Sequence, residues 1–144
     1  MDQDYSKSLV KEYQYWSVYV HENQGYVGRC VVWCKRENAL DLTDATKEER
    51  EELFVILKTL QETLRACFHA DWFNYAFLGN GTKHLHGHVI PRYAKPVEFM
   101  GLTFEDKHFG HNYRTDHDFV TSEQLLQEVR SKIFACLPAG EREW

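Results

Sequence analysis

A long amphipathic segment in the middle of the chain constrains the fold more than any other feature. Thr46 and Glu49 have the spacing of a capping box, in which each side chain bonds a backbone amide at the start of a helix. Apolar side chains then recur at helical spacing: Leu53, Ile56, Leu57, Leu60, Leu64, Cys67 and Phe68. The pattern predicts one long helix that packs this apolar stripe against another layer.

Segments with the composition of β-strands precede this helix. Residues 14–20 and 29–35 mix aromatic and β-branched side chains in the way of half-buried strands. Segment 23–28 lies between them and contains two glycines, which favour a turn. These residues therefore predict a pair of strands joined by a hairpin connection.

A second pair of strands follows the helix. Residues 72–78 alternate aromatic and smaller side chains, and residues 79–81 (Gly-Asn-Gly) favour a turn. Residues 83–90 resume the strand pattern, and we expect Pro91 to end it because proline donates no ladder hydrogen bond.

The C-terminal third is predicted to be an ordered loop followed by a helix. Residues 95–118 are irregular but carry several aromatic rings that can anchor a loop by packing. Thr121 and Gln124 form a second capping box, and the apolar spacing after them predicts a short helix that ends before Pro138. We expect one α+β domain over residues 1–144, with an antiparallel sheet of about five strands, one long central helix and a short C-terminal helix.

Composition excludes some classes of partner. The formal net charge is -5, which argues against binding nucleic acid through a general basic surface. No stretch approaches the roughly 20 apolar residues of a membrane span, and the first residues lack the pattern of a signal peptide. We therefore expect a cytoplasmic protein without a nucleic-acid or membrane partner. The four cysteines form no Cys-x-x-Cys pair, so reduced and mostly buried thiols are expected.

Three histidines at a spacing of two are the most unusual local feature. His84, His86 and His88 would project to the same face of a strand because side chains alternate along it. A single histidine is more often structural than functional. Three in one row favour a functional site.

A metal site is one interpretation of this row. Alternate residues are about 6.7 Å apart along a strand, so His84 and His88 would start about 13 Å apart. A side chain and a metal bond of about 2.1 Å span only roughly 5 to 6 Å from Cβ, so a regular strand cannot bring all three rings to one zinc ion. Two of them could chelate a metal if a further ligand came from His21, His108, His111 or His117.

Nucleophilic catalysis on phosphate is the other interpretation. A neutral imidazole carries no negative charge toward an anion, and it can become a cation in a covalent intermediate. An unperturbed histidine, with a pKa of about 6.5, is largely neutral at pH 7. A backbone carbonyl that held the Nδ1 proton would leave Nε2 as the nucleophile, while neighbouring histidines could bind phosphoryl oxygens or donate a proton to the leaving group.

At these residues the chain resembles the histidine triad (HIT) family, whose signature is His-φ-His-φ-His-φ-φ with φ apolar. Leu85, Val89 and Ile90 match the apolar positions, and Gly87 departs from one of them. The segment from Asn74-Tyr75 to Leu78-Gly79-Asn80 also resembles the small prokaryotic-type members, as does the order of elements over residues 14–95.

The resemblance implies roles for the histidines. His86 would attack the α-phosphate of a nucleotide and carry a transient nucleotidyl group that water then removes. His84 would orient His86, and His88 would contact phosphate and assist the leaving group.

The resemblance also implies a set of nucleotide-binding residues: Asn23, Arg29, Asn74, Asn80 and Thr82. Arg29 stands where many members have the histidine of a Pro-Gly-His sequence, so it is expected to contact phosphate or to be an ordinary surface arginine. For Asn80, a structural role in the turn is an equal alternative.

The resemblance also implies a homodimer that hydrolyses nucleotides without a resident cofactor, although Mg²⁺ could arrive with a polyphosphate substrate. Dinucleoside polyphosphates are the favoured substrates, with nucleoside phosphoramidates a close second. The alternatives are a nucleotide-binding module without turnover and a metal hydrolase that uses two of the histidines.

Overall fold

The computed structural model describes residues 5–142 and shows an α+β fold. Five strands form one antiparallel sheet in the order β1-β2-β3-β5-β4. The strands are β1 (Leu9–Glu12), β2 (Trp16–Val20), β3 (Cys30–Cys34), β4 (Trp72–Ala76) and β5 (His86–Arg92). The other main elements are helix α1 (Lys47–Phe68), a small hairpin of β6 (Val97–Phe99) and β7 (Leu102–Phe104), and helix α2 (Glu123–Cys136). The predicted fold class, sheet and two helices are confirmed.

Helix α1 begins where the capping box predicts. The Thr46 side chain accepts a hydrogen bond from the Glu49 amide, and the Glu49 carboxylate accepts one from the Thr46 amide. The predicted apolar stripe is buried against the sheet and includes Ile56, Leu60 and Leu64. The helix ends at His69, which adopts a left-handed conformation with φ of 61°.

The start of α2 differs from the prediction by one residue. Ser122 is the N-cap, and its hydroxyl accepts a hydrogen bond from the Leu125 amide. Gln124 is therefore not at the third helical position, and the capping box predicted from Thr121 does not form. Thr121 and Ser122 both carry a hydroxyl group that can cap a helix, and the prediction of Thr121 as the N-cap was wrong.

The boundaries of β5 also differ from the prediction. The strand begins at His86, not Lys83, and it continues through Pro91 to Arg92. Strand β3 pairs with β5 only as far as Val89, whereas Pro91 lies opposite Phe73 of β4. Proline is tolerated here because β3 has already ended beside it. Strand β1 and the β6–β7 hairpin were not predicted, since both are short and lack clear alternation.

The two faces of the sheet have different covers. On one face, Leu85, Gly87 and Val89 are buried among the residues that pack under α1. A Cβ atom on Gly87 would lie 2.3 Å from the ring of Phe77, so this ring fills the space that an apolar side chain at position 87 would need. Gly87, which stands where the signature described above has an apolar residue, therefore leaves room for the Phe77 ring.

The other face is crossed by the segment of residues 105–119, which is called the cover segment below. Arg92 fastens it: the guanidinium donates to both carboxylate oxygens of Asp106, at 2.7 and 3.1 Å, and to the carbonyls of His108 and His111. A small apolar cluster of Tyr26, Ala76, Ile90 and Tyr113 lies beside this anchor. Neither α1 nor α2 combines the length and apolar character that a membrane-crossing helix needs.

Candidate active site

The three predicted histidines present their rings on the face of the sheet opposite α1. All three side chains are half-buried, whereas the residues between them are buried on the α1 side. The ring centres of His86 and His88 are 5.5 Å apart. His84 precedes the strand, and its ring stacks on the Trp33 indole of β3 at 4.2 Å. The row therefore forms although only two of its members belong to β5.

His86 has a defined tautomer. Its Nδ1 lies 2.6 Å from the backbone carbonyl oxygen of His84. A carbonyl oxygen only accepts, so Nδ1 carries the proton and Nε2 carries the lone pair. Nε2 is thus available as a nucleophile on the half-buried ring.

His84 is anchored to the neighbouring strand. Its Nε2 donates to the carbonyl oxygen of Cys34 at 2.6 Å, and Trp33 covers one side of its ring. Trp33 also lies 5.4 Å from the His86 ring centre. Because the His84 carbonyl holds His86, fixing His84 fixes the orientation of His86 as well.

His88 has the opposite tautomer because its partner is an arginine. Nη2 of Arg29 lies 3.2 Å from Nδ1 of His88, and a guanidinium can only donate. The lone pair is therefore on Nδ1, and the proton is on Nε2. Burial, followed by the charges of Arg29, His21 and His86, lowers the pKa of His88 to about 3.

Arg29 itself is a buried cation without a carboxylate partner. The residue is 4% exposed, and none of the ion pairs in the described part of the chain includes it. Nη1 donates to the Thr115 hydroxyl at 2.8 Å, the Tyr113 ring lies 5.4 Å away, and Nε has no hydrogen-bond partner among these residues. Burying an unpaired charge is unfavourable, so this arrangement would be relieved by a bound anion.

His21, which the sequence suggests only as a possible metal ligand, is also a member of the site. Its ring centre lies 5.2 Å from that of His88, and its Nδ1 accepts a hydrogen bond from the Asn23 amide at 2.9 Å. Burial, followed by the charge of Arg29, lowers the pKa of His21 to about 4. The alternation of Ser17 and Tyr19 in β2, continued by His21 directly after the strand, is the sequence signal that could have placed it on this face.

Two of the predicted nucleotide-binding residues hold the cover segment. The side-chain nitrogen of Asn23, Nδ2, donates a hydrogen bond to the Asp116 backbone carbonyl at 2.8 Å. The Asn74 side-chain oxygen accepts hydrogen bonds from Arg92 at 2.7 Å and from the Tyr113 amide at 3.3 Å. The side chains of both residues therefore form hydrogen bonds within the protein.

Besides Arg29, two further predicted binding residues lie in the loop that leads to the triad. Asn80 and Thr82 are exposed, between β4 and His84. The structure thus brings His84, His86, His88 and Arg29 together. Asn80 and Thr82 remain exposed in the loop.

The side chains around the triad are not arranged to hold a metal. Within residues 5–142, no group of three or more histidine, cysteine, aspartate or glutamate side chains could hold a metal ion. One nitrogen of each triad histidine is already bonded: Nε2 of His84 to the Cys34 carbonyl, Nδ1 of His86 to the His84 carbonyl, and Nδ1 of His88 to Arg29.

Comparison with known families identifies this class of protein. The HIT domain family matches residues 4–95, which include the triad, α1 and all five strands of the main sheet. The chain therefore belongs to the histidine triad family. None of the curated protein sequences matches the chain.

Solved structures share the fold at low sequence identity. A hypothetical histidine triad nucleotide-binding protein from Sulfolobus tokodaii is 16% identical, with a TM-score of 0.73 over 95% of this chain and 91% of that one. A histidine triad protein from Bradyrhizobium japonicum is also 16% identical, with a TM-score of 0.70 over 92% of both chains. Diadenosine triphosphate hydrolase from Plasmodium falciparum is 14% identical, with a TM-score of 0.63 over 89% of this chain and 74% of that one.

Proposed function

We propose that this protein hydrolyses nucleotides at the α-phosphate, with dinucleoside polyphosphates as substrates and a covalent nucleotidyl-His86 intermediate. The hydrogen bond from His86 Nδ1 to the His84 carbonyl carries the proposal, because it leaves Nε2 unprotonated and directed away from the anchoring carbonyl. The proposal agrees with the names of two proteins of similar fold, the Sulfolobus nucleotide-binding protein and the Plasmodium diadenosine triphosphate hydrolase.

The reaction has two steps. In the first, Nε2 of His86 forms a bond to the α-phosphorus while the bridging P–O bond breaks and its electron pair leaves with the polyphosphate. The His84 carbonyl stabilises the positive charge that develops on the ring. In the second, water forms a P–O bond, the P–Nε2 bond breaks, a nucleoside monophosphate is released and the water proton passes to solvent.

Arg29 and His88 are proposed to bind the phosphoryl oxygens. Arg29 is a buried cation that lacks a carboxylate, and His88 presents an Nε2–H donor beside the nucleophile. Such donors stabilise the charge that builds up on phosphoryl oxygens in the transition state. Asn80 and Thr82 are proposed to contact the nucleotide from the loop, and Asn23 and Asn74 to support it indirectly by holding the cover segment. The covalent step uses no cofactor, and any Mg²⁺ would arrive bound to the polyphosphate.

The nucleoside is proposed to rest on the neighbouring strands. Tyr19 of β2 pairs with Val31 of β3, and Val31 pairs with His88 of β5, so the three side chains share the triad face. Both Tyr19 and Val31 are half-buried. An aromatic ring and a flat apolar surface next to the phosphate site suit a nucleobase.

A homodimer is proposed through the outer face of α1 and the β4 edge. Exposed apolar side chains here include Phe54, Val55, Tyr75 and Leu78, and a groove of about 500 Å³ runs between Phe54, Leu57, Tyr75 and Phe77. β4 ends the sheet, so its outer edge is unpaired within the described chain. Phe54→Glu should convert a dimer to a monomer in light scattering, whereas Val120→Glu, at a residue 84% exposed, should not. A monomeric wild type would contradict this part of the proposal.

Turnover by matched histidine variants tests the enzymatic proposal. His86→Asn should lower kcat by about 10³-fold or more on diadenosine triphosphate, because the nucleophile is lost. His69→Asn is the control, since His69 is exposed at the end of α1 and asparagine tolerates its left-handed conformation. A wild type that binds AMP without any turnover would instead favour the nucleotide-binding module.

A further inference from the structure

We propose that Arg29 selects the leaving group by holding His88 in the neutral Nε2–H tautomer. The site would then serve nucleotidyl substrates whose leaving group departs as a stable anion, such as a phosphate, a polyphosphate or a carboxylate. It would discriminate against phosphoramidates, whose amine must leave with a proton. This inference rests on the proposed function and specifies its substrate class.

The geometry allows only one proton arrangement at His88. Arg29 Nη2 donates to Nδ1 at 3.2 Å, and Thr115 holds the other terminal nitrogen of the guanidinium at 2.8 Å. A proton on Nδ1 would face a donor across the same contact. Because Arg29 is buried at the base of β3 and held on two sides, it cannot move away as easily as a surface arginine.

The groups around His88 also oppose its protonation. His21 faces it from just after β2, Arg29 from just before β3 and His86 from its own strand, and positive charge on these groups opposes a proton on His88. Ala76 pairs with it from β4, and the cover segment contributes Thr115 behind Arg29. The lowered pKa of His88 agrees with this arrangement. His88 is consequently a hydrogen-bond donor to the leaving group and a poor source of a transferable proton.

Leaving groups respond differently to such a donor. When an anhydride P–O bond breaks, the electron pair stays on a phosphate oxygen, whose conjugate acid has a pKa of about 6, so no proton is required. When a phosphoramidate P–N bond breaks, the nitrogen must receive a proton as the electron pair arrives. A neutral imidazole N–H supplies that proton poorly, whereas an imidazolium supplies it well.

The test compares two substrates that share the adenylyl group. Transfer of the adenylyl group from diadenosine triphosphate releases ADP as an anion, whereas transfer from adenosine 5′-phosphoromorpholidate releases the amine morpholine. We expect the wild type to favour the first by at least about 10²-fold in kcat/KM, the usual contribution of general acid catalysis. Arg29→His should reduce this ratio at least about 10-fold by increasing phosphoramidate turnover, and Arg142→His, at an exposed residue remote in sequence from the triad, should leave it unchanged.

A spectroscopic measurement reports the tautomer directly. In ¹⁵N NMR of the wild type, His88 should carry its proton on Nε2 and should not titrate between pH 8 and pH 5. Arg29→His should restore titration in this range or mix the tautomers. Activity loss without a change of tautomer would assign Arg29 a merely structural role and overturn the inference.

The failures of the two proposals are distinguishable. Absence of turnover on both substrates would overturn the proposed function. Equal turnover of both substrates by the wild type, or an unchanged ratio in Arg29→His, would overturn the selection by Arg29 and leave the nucleotidyl-His86 mechanism intact.

Discussion

The two buried arginines on the triad face differ in what they bind. Arg92 is 2% exposed and has a bidentate carboxylate partner in Asp106, together with two backbone carbonyls and Asn74. Arg29 is 4% exposed and binds only a histidine nitrogen and a hydroxyl, with Nε unpartnered. Each guanidinium lies near a tyrosine ring, Tyr26 for Arg92 and Tyr113 for Arg29.

This difference indicates that the charge of Arg92 stabilises the fold, whereas we propose that the charge of Arg29 binds a ligand. The Arg92 pair is neutral overall, and it ties the cover segment to the end of β5. Arg29 contributes an uncompensated positive charge next to the proposed nucleophile, which is unfavourable in the free protein and would become favourable with a phosphate bound. We therefore assign the two arginines different roles: Arg92 stabilises the fold, and Arg29 is proposed to bind ligand.

The largest effect on stability is expected for Arg92→Met. The substitution leaves the buried Asp106 carboxylate unpaired, so it should lower the free energy of unfolding by about 3 to 5 kcal/mol. Urea denaturation measures the change, and Arg92→Met combined with Asp106→Leu should recover much of the loss. If the single variant is as stable as the wild type, Arg92 does not hold the fold as described.

Arg29→Met should show the reverse pattern. We expect kcat/KM on diadenosine triphosphate to fall about 10²- to 10³-fold, because a donor to the phosphoryl oxygens is lost. Thermal stability of the free protein should not fall, since the buried charge disappears with the side chain. Inorganic phosphate or AMP should raise the Tm of the wild type and have little effect on the variant; equal stabilisation of both would remove Arg29 from the anion site.

A substitution on the opposite face of β5 should lower stability without changing the arrangement of the triad. Gly87→Ala places a methyl group against the Phe77 ring and should destabilise the protein by about 1 to 3 kcal/mol. Combining it with Phe77→Leu should relieve the clash and restore stability in part. The tautomer of His88 should stay unchanged by NMR, whereas a change there would show that the two faces are coupled.

The smallest expected effect is on the pH dependence of stability. In the unfolded chain histidines titrate near about 6.5, whereas in the folded protein the pKa of His88 is lowered to about 3 and that of His21 to about 4. The unfolded state therefore binds more protons below pH 6.5, so stability present above this pH is lost as the pH falls toward 4. Removing Arg29 raises the pKa of both groups, so Arg29→Met should lose less stability over this window in urea titrations at pH 7, 5.5 and 4.

The sequence predicted the features that depend on local periodicity. Helix α1, its capping box and the common face of the three histidines follow from spacing along the chain. The partners of the histidines do not, because Arg29 and His21 reach His88 from separate parts of the chain, and Thr115 of the cover segment holds Arg29. Asn23 and Asn74 illustrate the same limit: the resemblance predicts them as nucleotide-binding residues, but their bonds to the cover segment depend on tertiary packing.

Trapping the intermediate tests the central claim most directly. Wild-type protein mixed with excess diadenosine triphosphate and quenched within milliseconds should gain the mass of one adenylyl group, and peptide mapping should locate it on His86. The adduct should be acid-labile, as phosphoramidate bonds to histidine are, and absent from His86→Asn but present in His69→Asn. Turnover without any adduct on His86, or an adduct on another residue, would contradict nucleophilic attack by this histidine.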